Sequence, residues 1–377
     1  MDKKSLIEKY ANARVNAVID IKKKKEEGKK VVGTFCAFTP KEVIIAAKAI
    51  PLSLCGMKNE PISEAEKHLS RNLCPLIKSS YGHAITDTCP YFYFSDLLVG
   101  ETTCDGKKKM YEYLNNIKEI HVMQLPQTLQ RKDSLGIWQN EIVILAKKLE
   151  KEFHVEITNE RLQEAIRICN KERLVQQKLF KLGMAKSPVI SGYELLKILQ
   201  GIGYQELTHQ YLEELEKMID QLRSSNENIN KSKKRILVTG CPLGADTEKV
   251  IKIIEDNEGI VVAYENCTGL KAKVELVDEN VDPYQALAAK YLNVACPCIS
   301  PNKNRMILIN ELIKDYKVDG VIDIVLQSCH PYSVETYGLK NEIARVSKVP
   351  YMSVETDYSS SDVGQLMTRI GAFLEML

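Results

Sequence analysis

The chain has 377 residues, which is enough for two or three domains with their own hydrophobic cores. Its 52 lysines and arginines nearly balance 50 aspartates and glutamates, so a formal net charge of +2 gives no general attraction to nucleic acid or to an acidic surface. The sequence has no run of about 18 apolar residues and no signal-peptide core, so we expect a cytoplasmic protein that does not enter a membrane.

Eleven cysteines are many for a protein of a reducing compartment. The odd count and the large chain argue against a disulfide scaffold, and they favour metal ligation or catalysis. Only six histidines occur, so a Cys/His zinc array would be short of nitrogen ligands. The sequence also has no Cys-x-x-Cys pair, which argues against a zinc ribbon and a thioredoxin-type motif.

The first part of the chain predicts helices that alternate with the strands of a parallel sheet. An amphipathic helix is expected over residues 5–29 and another helix after Pro40, and strands are expected at 31–35, 50–56, 97–99 and 120–126. Cys36, Cys55 and Cys104 fall at the carboxyl ends of these strands, where parallel sheets bind ligands.

The stretch from Cys74 to Cys104 is the most informative part of the sequence. Its three cysteines, including Cys89, are spaced fifteen residues apart. Cys104 comes where a buried strand gives way to a helix, whose positive end favours a thiolate. We therefore expect this stretch to hold iron and sulfur. The aromatic residues 91–94 either pack in the core or keep water away from such a centre.

Lysines 107–109 lie in the first turn of that helix, where positive charge opposes the helix dipole. Either a nearby anionic cluster offsets them or they are simply exposed.

From about residue 138 to 232 the periodicity is helical and no strand is expected, which indicates a helical subdomain. Cys169 lies on an apolar helix face there and is interpreted as a core residue. Residues 224–228 are predicted to form a linker.

A second α/β unit is expected to begin at Arg235, and its pattern repeats that of the first. Residues 236–241 resemble 31–36, residues 261–269 resemble 52–56, and residues 321–329 resemble 97–104. A last strand at 350–356 and a helix over 364–377 complete the unit. Cys241, Cys267 and Cys329 again fall at strand ends, so we expect two similar domains with thiols converging on one cleft. The predicted domains are 1–137, 138–232 and 233–377.

Four cysteines precede proline, which removes a backbone donor and fixes the chain just past the sulfur: Cys74, Cys89, Cys241 and Cys296. Scattered single cysteines suit a cluster held between domains. Cys36, Cys55 and Cys241 are interpreted as buried strand-end residues, with ligation as the alternative. For Cys267 and Cys296 both roles stay open. His330 is either a proton donor or a satisfied polar residue.

No P-loop, no G-x-G-x-x-G fingerprint and no G-x-S-x-G elbow occurs in the sequence. We therefore expect energy or electrons to come from another protein.

Six strings carry a resemblance to a known family: residues 71–82, 89–114, 264–269, 296–302, 327–335 and 355–369. The chain resembles the double-cubane cluster proteins, which belong to the superfamily of 2-hydroxyacyl-CoA dehydratase and benzoyl-CoA reductase subunits. The resemblance runs nearly end to end and is weakest in the helical middle. It implies two flavodoxin-like (Rossmann-like) α/β domains with helical additions and a [4Fe-4S] cubane between them.

In the dehydratase branch, the resemblance implies three cysteine ligands, which match Cys74, Cys104 and Cys329. The additional thiols of Cys89, Cys296 and Cys298 imply instead an [8Fe-9S] double cubane with these six ligands. Cys267 is the most suitable replacement for Cys296.

The resemblance also implies a partner, a homodimeric ATPase of the actin/hexokinase-like type that carries its own [4Fe-4S] cluster. The expected protein is then a homodimeric, anaerobic, ATP-dependent reductase component that acts on a small unsaturated molecule. Lys107 would stabilise negative charge there, and His330 would donate protons. The alternatives are a 2-hydroxyacyl-CoA dehydratase subunit with one [4Fe-4S] cluster, and a non-catalytic electron carrier.

Overall fold

The computed structural model describes residues 3–225 and 232–377. Residues 226–228 of the predicted linker lie outside the described residues. The strands are β1 (Lys30–Thr34), β2 (Ala49–Ser53), β3 (Leu97–Glu101), β4 (Ile120–Met123), β5 (Lys234–Gly240), β6 (Gly259–Glu265), β7 (Gly320–Leu326) and β8 (Tyr351–Thr356).

The helices before β5 are α1 (Lys3–Ala11), α2 (Ala13–Glu26), α3 (Lys41–Ala46), α4 (Ile62–Ala65), α5 (Pro75–Ile85), α6 (Pro90–Phe94), α7 (Asp105–Leu114), α8 (Ser134–Phe153), α9 (Asn159–Phe180), α10 (Gly192–Ile202) and α11 (His209–Arg223). Those after it are α12 (Glu248–Asp256), α13 (Pro283–Leu292), α14 (Lys303–Asp315), α15 (His330–Val346) and α16 (Val363–Glu375). Short 3-10 turns occur at Lys181–Met184, Ala245–Thr247 and Leu270–Ala272.

Each half of the chain folds four strands into one parallel sheet. The strand orders are β2-β1-β3-β4 and β6-β5-β7-β8, and every pairing is parallel. The predicted α/β class with two flavodoxin-like domains is therefore confirmed, and the shared strand order agrees with the internal repeat expected from the sequence.

The strands of the second sheet are apolar because both faces are covered. Every residue of β6 and of β7 is buried, as is usual for parallel strands between two layers of helices. Glu265 at the end of β6 and Asp323 in β7 are the charged exceptions. Buried charges of this kind need partners, and those partners lie close to the site described below.

The helices between the two halves pack on elements of each half: α8 contacts β4 of the first sheet, and α10 contacts β6 of the second. Helix α8 packs on α13, α9 packs on α3, and α10 packs on α1 and α12. The helical character predicted for this region is present, while the boundaries at 137/138 and 232/233 stay predictions.

The N-terminal helix was expected as one element over 5–29, but it is two helices that meet at Asn12. A close approach explains the break. At Gly201 of α10, an added Cβ would lie 1.9 Å from the carbonyl oxygen of Tyr10. Helix α1 therefore ends where it packs closely on α10.

Among the described residues, no helix has both the length and the apolar character needed to span a membrane.

Candidate functional site

A cavity of about 380 Å³ lies where the two sheets face each other, and eight of the eleven cysteines line it. They are Cys36, Cys74, Cys104, Cys241, Cys267, Cys296, Cys298 and Cys329. We call this space the thiol cavity. Apolar side chains such as Leu73, Ile77 and Leu326 form other parts of its wall.

The parallel sheets deliver most of these thiols. Cys36 and Cys104 follow β1 and β3, while Cys241, Cys267 and Cys329 follow β5, β6 and β7. Because the carboxyl ends of parallel strands share one edge, the two sheets bring these cysteines to one space. The structure thus shows the predicted convergence for five of the six strand-end cysteines, while Cys55, which follows β2, lines a neighbouring cavity instead.

Three of the cysteines also cap helices that begin at the cavity. Cys74, Cys104 and Cys329 occupy the N-cap positions of α5, α7 and α15. Free backbone N–H groups and the positive helix ends stabilise a thiolate at such positions. The expectation that the helix after Cys104 begins at Asp105 is confirmed.

The sulfurs of Cys74, Cys241 and Cys329 form one hydrogen-bonded group. The thiols of Cys241 and Cys74 donate to Cys329, which lowers the pKa of Cys329 to about 3. The hydrogen bond to Cys329, together with burial, raises the pKa of Cys74, and burial together with its hydrogen bond to Cys329 raises the pKa of Cys241. These hydrogen bonds favour the thiolate form of Cys329, which is the form that binds metal.

Cys296 forms a second group with Cys298. A hydrogen bond from Cys298 and the positive charge of Lys271 outweigh burial and lower the pKa of Cys296 to about 6. Burial raises the pKa of Cys267 to about 11 even though Lys271 is near. The cavity thus holds two thiols that ionise readily, one in each group.

Lys107 is the cation that faces the thiols. It is 9% exposed, lines the cavity, and its Nζ donates to the carbonyl oxygen of Phe35 at 2.7 Å. Burial opposes its charge, but the neighbouring Tyr111 and Cys36 hold the pKa of Lys107 well above its usual value. The sequence left open whether these lysines face an anionic centre or solvent, and the structure divides them. Lys107 and Lys108 both line the cavity, with Lys108 also paired to Asp105, while Lys109 lies outside the cavity and pairs with Glu112.

Cys89 lies elsewhere. It lines a neighbouring cavity of about 570 Å³ together with Cys55 and Arg14, and the N–H of Phe92 donates to its sulfur at 3.4 Å. Burial raises the pKa of Cys89. Of the six predicted ligands, five therefore line the thiol cavity and Cys89 does not.

The aromatic residues 91–94 do not line the thiol cavity either. Tyr91 and Phe92 are buried along the neighbouring cavity, where the ring of Tyr91 packs 4.4 Å from that of Tyr204, while Tyr93 is 62% exposed. Tyr91 and Phe92 therefore serve core packing. His330 is exposed at the rim of the thiol cavity, and Cys169 is fully buried away from it, as expected for a core residue.

Sequence reasoning missed a buried ionic network behind the second thiol group. Arg305 is fully buried and its guanidinium lies 3.2 Å from Glu265 and 3.6 Å from Asp323. Lys271 lies 3.5 Å from the same Glu265 and donates to the hydroxyl of Tyr332, which lines the thiol cavity. Glu265 and Asp323, which are charged residues in otherwise apolar strands, could have indicated this network from the sequence.

Glu101, at the end of β3, is a second missed residue. It is fully buried, Thr39 donates to its Oε1, and its Oε2 has no hydrogen-bond partner in the part of the chain that the structure describes. Burial raises the pKa of Glu101 to about 7. A carboxyl that titrates near neutrality next to Lys107 can hold or release a proton beside the cavity.

Within residues 3–225 and 232–377, no group of three or more His, Cys, Asp and Glu side chains is arranged to hold a metal ion. An iron–sulfur cluster makes a different demand, because its irons are bound by thiolates that surround the whole cluster. A cavity lined by eight cysteines, with two low-pKa sulfurs and a buried lysine, fits that demand.

Gly240 shapes the path into Cys241, and it gives a testable prediction. Its φ is +105°, and an added Cβ would lie 2.2 Å from the carbonyl oxygen of Ile324. Gly240→Ala should therefore lower the free energy of unfolding by about 2–3 kcal/mol, from backbone strain and the clash together. Urea unfolding followed by circular dichroism measures it.

Gly28→Ala is the matched control, because Gly28 has a φ of +84° but no atom within 4 Å of an added Cβ. It should cost about 1 kcal/mol, from strain alone. Equal losses in the two variants would contradict the close contact at Gly240.

The sequence matches the family model described as 2-hydroxyglutaryl-CoA dehydratase, D-component, over residues 36–377. It is 46% identical over 378 residues to YjiM of Escherichia coli (strain K12), described as a candidate dehydratase subunit, with 100% of this chain and 99% of that protein covered.

Two more distant relatives are beta subunits. The (R)-phenyllactyl-CoA dehydratase beta subunit of Clostridium sporogenes is 24% identical over 362 residues, covering 95% of this chain and 94% of its own. The (R)-2-hydroxyglutaryl-CoA dehydratase beta subunit of Acidaminococcus fermentans is 21% identical over 392 residues, with 99% of each chain covered.

Proposed function

The chain belongs to the 2-hydroxyglutaryl-CoA dehydratase D-component family, and from this premise we propose that it is an iron–sulfur reductase component. The group held in the thiol cavity is an [8Fe-9S] double cubane. Such a centre, when bound, supplies low-potential electrons to a small unsaturated substrate.

The observation that supports this proposal is the number of thiols on one cavity. A single cubane of the dehydratase type uses three cysteines, and Cys74, Cys104 and Cys329 would be enough for it. The thiol cavity has five more cysteine sulfurs, and its hydrogen-bonded thiols form two groups, one around Cys329 and one of Cys296 with Cys298. Two groups of thiols favour two cubanes over one.

The assignment of ligands follows from which cysteines line the cavity. Cys74, Cys104, Cys296, Cys298 and Cys329 are retained. Cys241 replaces Cys89 as the sixth proposed ligand, because Cys241 lines the cavity and its thiol donates to Cys329. Cys36 and Cys267 remain as alternatives for the sixth position.

The other residues of the site prepare it for a centre with negative charge. Lys107 and Lys271 place two buried cations beside the thiols, and the starts of α5, α7 and α15 add partial positive charge. Glu101 can exchange a proton near neutral pH. His330 at the rim is placed to transfer protons between solvent and the cavity.

Electrons reach the chain from a separate activator, proposed as a homodimeric ATPase with its own [4Fe-4S] cluster. The absence of a nucleotide-binding motif from the sequence agrees with this division of labour. The protein itself is proposed to be a cytoplasmic homodimer.

A second candidate is a dehydratase subunit with one [4Fe-4S] cluster. The names of the relatives favour it, because two of them are beta subunits of acyl-CoA dehydratases. It predicts a non-identical partner subunit and leaves five of the cysteines on the cavity without a role.

The experiment that separates these candidates is the iron and acid-labile sulfide content of anaerobically purified protein, with EPR of the reduced form. About eight irons per chain would support the double cubane, and about four would support the dehydratase-type centre. Protein that holds zinc and almost no iron would contradict both.

A further inference from the structure

A second cavity, of about 390 Å³, lies beside the thiol cavity and carries mostly positive charge. We call it the basic cavity. Six cations line it, against two carboxylates: Lys29, Lys41, Lys48, Arg173, Lys273 and Lys290 against Glu172 and Glu206. Cys36 lines both cavities, so the two spaces share a wall.

Two of the cations are neutralised by carboxylates. Arg173 is paired at 2.5 Å with Glu42, and both side chains are at least 96% buried. Lys41 forms an ion pair with Glu172. The positive charges of Arg173 and Lys41 are therefore balanced by these two carboxylates.

Lys273 and Lys290 have no carboxylate partner in the part of the chain that the structure describes. The Nζ of Lys273 donates to the carbonyl oxygens of Thr268 and Gly269. The Nζ of Lys290 donates to the carbonyl oxygen of Ala272 at 2.9 Å. An ammonium group has three donors, so both lysines retain donors that these carbonyls do not use.

Burial therefore works against the protonated form of both lysines, because no carboxylate pairs with them in the described part of the chain. Lys290 is 3% exposed, and burial together with the nearby charge of Arg173 puts its pKa well below the usual value. Burial lowers the pKa of Lys273 to about 8. Burying an unbalanced charge is costly, and a bound anion would remove much of that cost.

We propose that the basic cavity binds the anionic group of a small ligand, a carboxylate or a phosphate, through Lys273 and Lys290. The volume is at the lower end of the range for ligand sites, which favours a small molecule. Ile50, Leu52 and Leu207 give the remainder of the cavity an apolar wall for the ligand's carbon skeleton. The exposed Lys29 and Lys48 at the cavity attract anions from solution.

The shared wall at Cys36 suggests what this ligand is. An anion held in the basic cavity is the charged end of the substrate, and its other end points toward the thiol cavity. This identification as substrate rests on the proposed function, whereas anion binding itself does not.

The test is isothermal titration calorimetry of the purified protein at low ionic strength, with inorganic phosphate in one series and succinate in the other. Saturable binding of either anion is expected, and the series that binds identifies the group. Lys290→Gln and Lys273→Gln should each weaken it about tenfold or more, because each removes a charge-assisted hydrogen bond. Lys314→Gln, which changes an exposed lysine of α14, should leave it unchanged.

A measurement on the unchanged protein covers the case in which a variant does not fold. A saturating anion should slow acetylation of Lys273 several-fold, while acetylation of Lys314 continues at the same rate. The proposal is overturned if neither anion binds saturably, if folded Lys273 and Lys290 variants bind like wild type, or if acetylation of Lys273 is unaffected.

Failure of this proposal can be told apart from failure of the proposed function. Cys104→Ser removes a proposed cluster ligand but no residue of the basic cavity. That variant should lose iron and still bind the anion. Anion binding in a protein that never holds iron would support the basic cavity and contradict the reductase.

Discussion

Replacing Cys329 by serine is expected to remove most of the iron and sulfide from the protein. Cys329 receives hydrogen bonds from the thiols of Cys74 and Cys241, caps α15, and has the lowest pKa of the thiols described above, about 3. Serine cannot form an anion at neutral pH and is a poor iron ligand. Iron and acid-labile sulfide per chain, measured on anaerobically purified protein, give the result directly.

Cys169→Ser is the matched control for that variant. Cys169 is also fully buried, but it lies in a small apolar cluster with Ile168 and Leu212. Its replacement should leave the iron content unchanged. If Cys329→Ser kept all of its iron, or if Cys169→Ser lost as much, the thiol cavity would not be the cluster site.

Cys298 and Cys89 separate the ligand set suggested by sequence from the one suggested by the structure. Cys298→Ser should lower the iron content, because Cys298 lines the thiol cavity. Cys89→Ser should not, because Cys89 lines the neighbouring cavity. Iron loss in both variants would return Cys89 to the ligand set and remove Cys241 from it.

The sheets could be predicted because their signal is local. Each strand is a short apolar run, and a cysteine one to three residues past its end necessarily lies at the carboxyl edge of a parallel sheet. The convergence of Cys104 and Cys329 follows from that rule together with the repeat of the two halves.

The location of Cys89 could not be predicted, because it depends on how helices pack. Cys74, Cys89 and Cys104 look alike in sequence, each fifteen residues from the next. Helix α5 separates Cys74 from Cys89, and Cys89 then begins the five-residue α6 beside a different cavity. Equal spacing along the chain therefore says nothing about equal position in space.

The roles of individual side chains were harder to predict than their places. Cys36 and Cys241 were interpreted as buried strand-end residues, with ligation as the alternative; both line the thiol cavity, and Cys241 is also only 1% exposed. Lys271 and Tyr332 escaped notice because they are 61 residues apart in the chain and meet only in the folded structure. A lysine's role in such a site depends on its neighbours in space, which no single-sequence pattern reveals.

Arg305→Met is expected to lower the free energy of unfolding by about 3–5 kcal/mol, because it leaves buried carboxylates without their counter-charge. Arg305 is 0% exposed, and its guanidinium contacts Glu265, Asp323 and Glu335. Methionine fills a similar volume and cannot donate a hydrogen bond. Urea unfolding followed by circular dichroism measures the loss.

Arg345→Met is the control, since Arg345 is 71% exposed and forms a surface ion pair with Glu342 at 2.7 Å. Its replacement should cost about 1 kcal/mol or less. The network also bears on the thiols, because Glu265 contacts Lys271, whose charge helps to lower the pKa of Cys296. Arg305→Met should thus reduce iron content as well as stability, and a loss below about 1 kcal/mol would show that the network is not needed to hold the second sheet together.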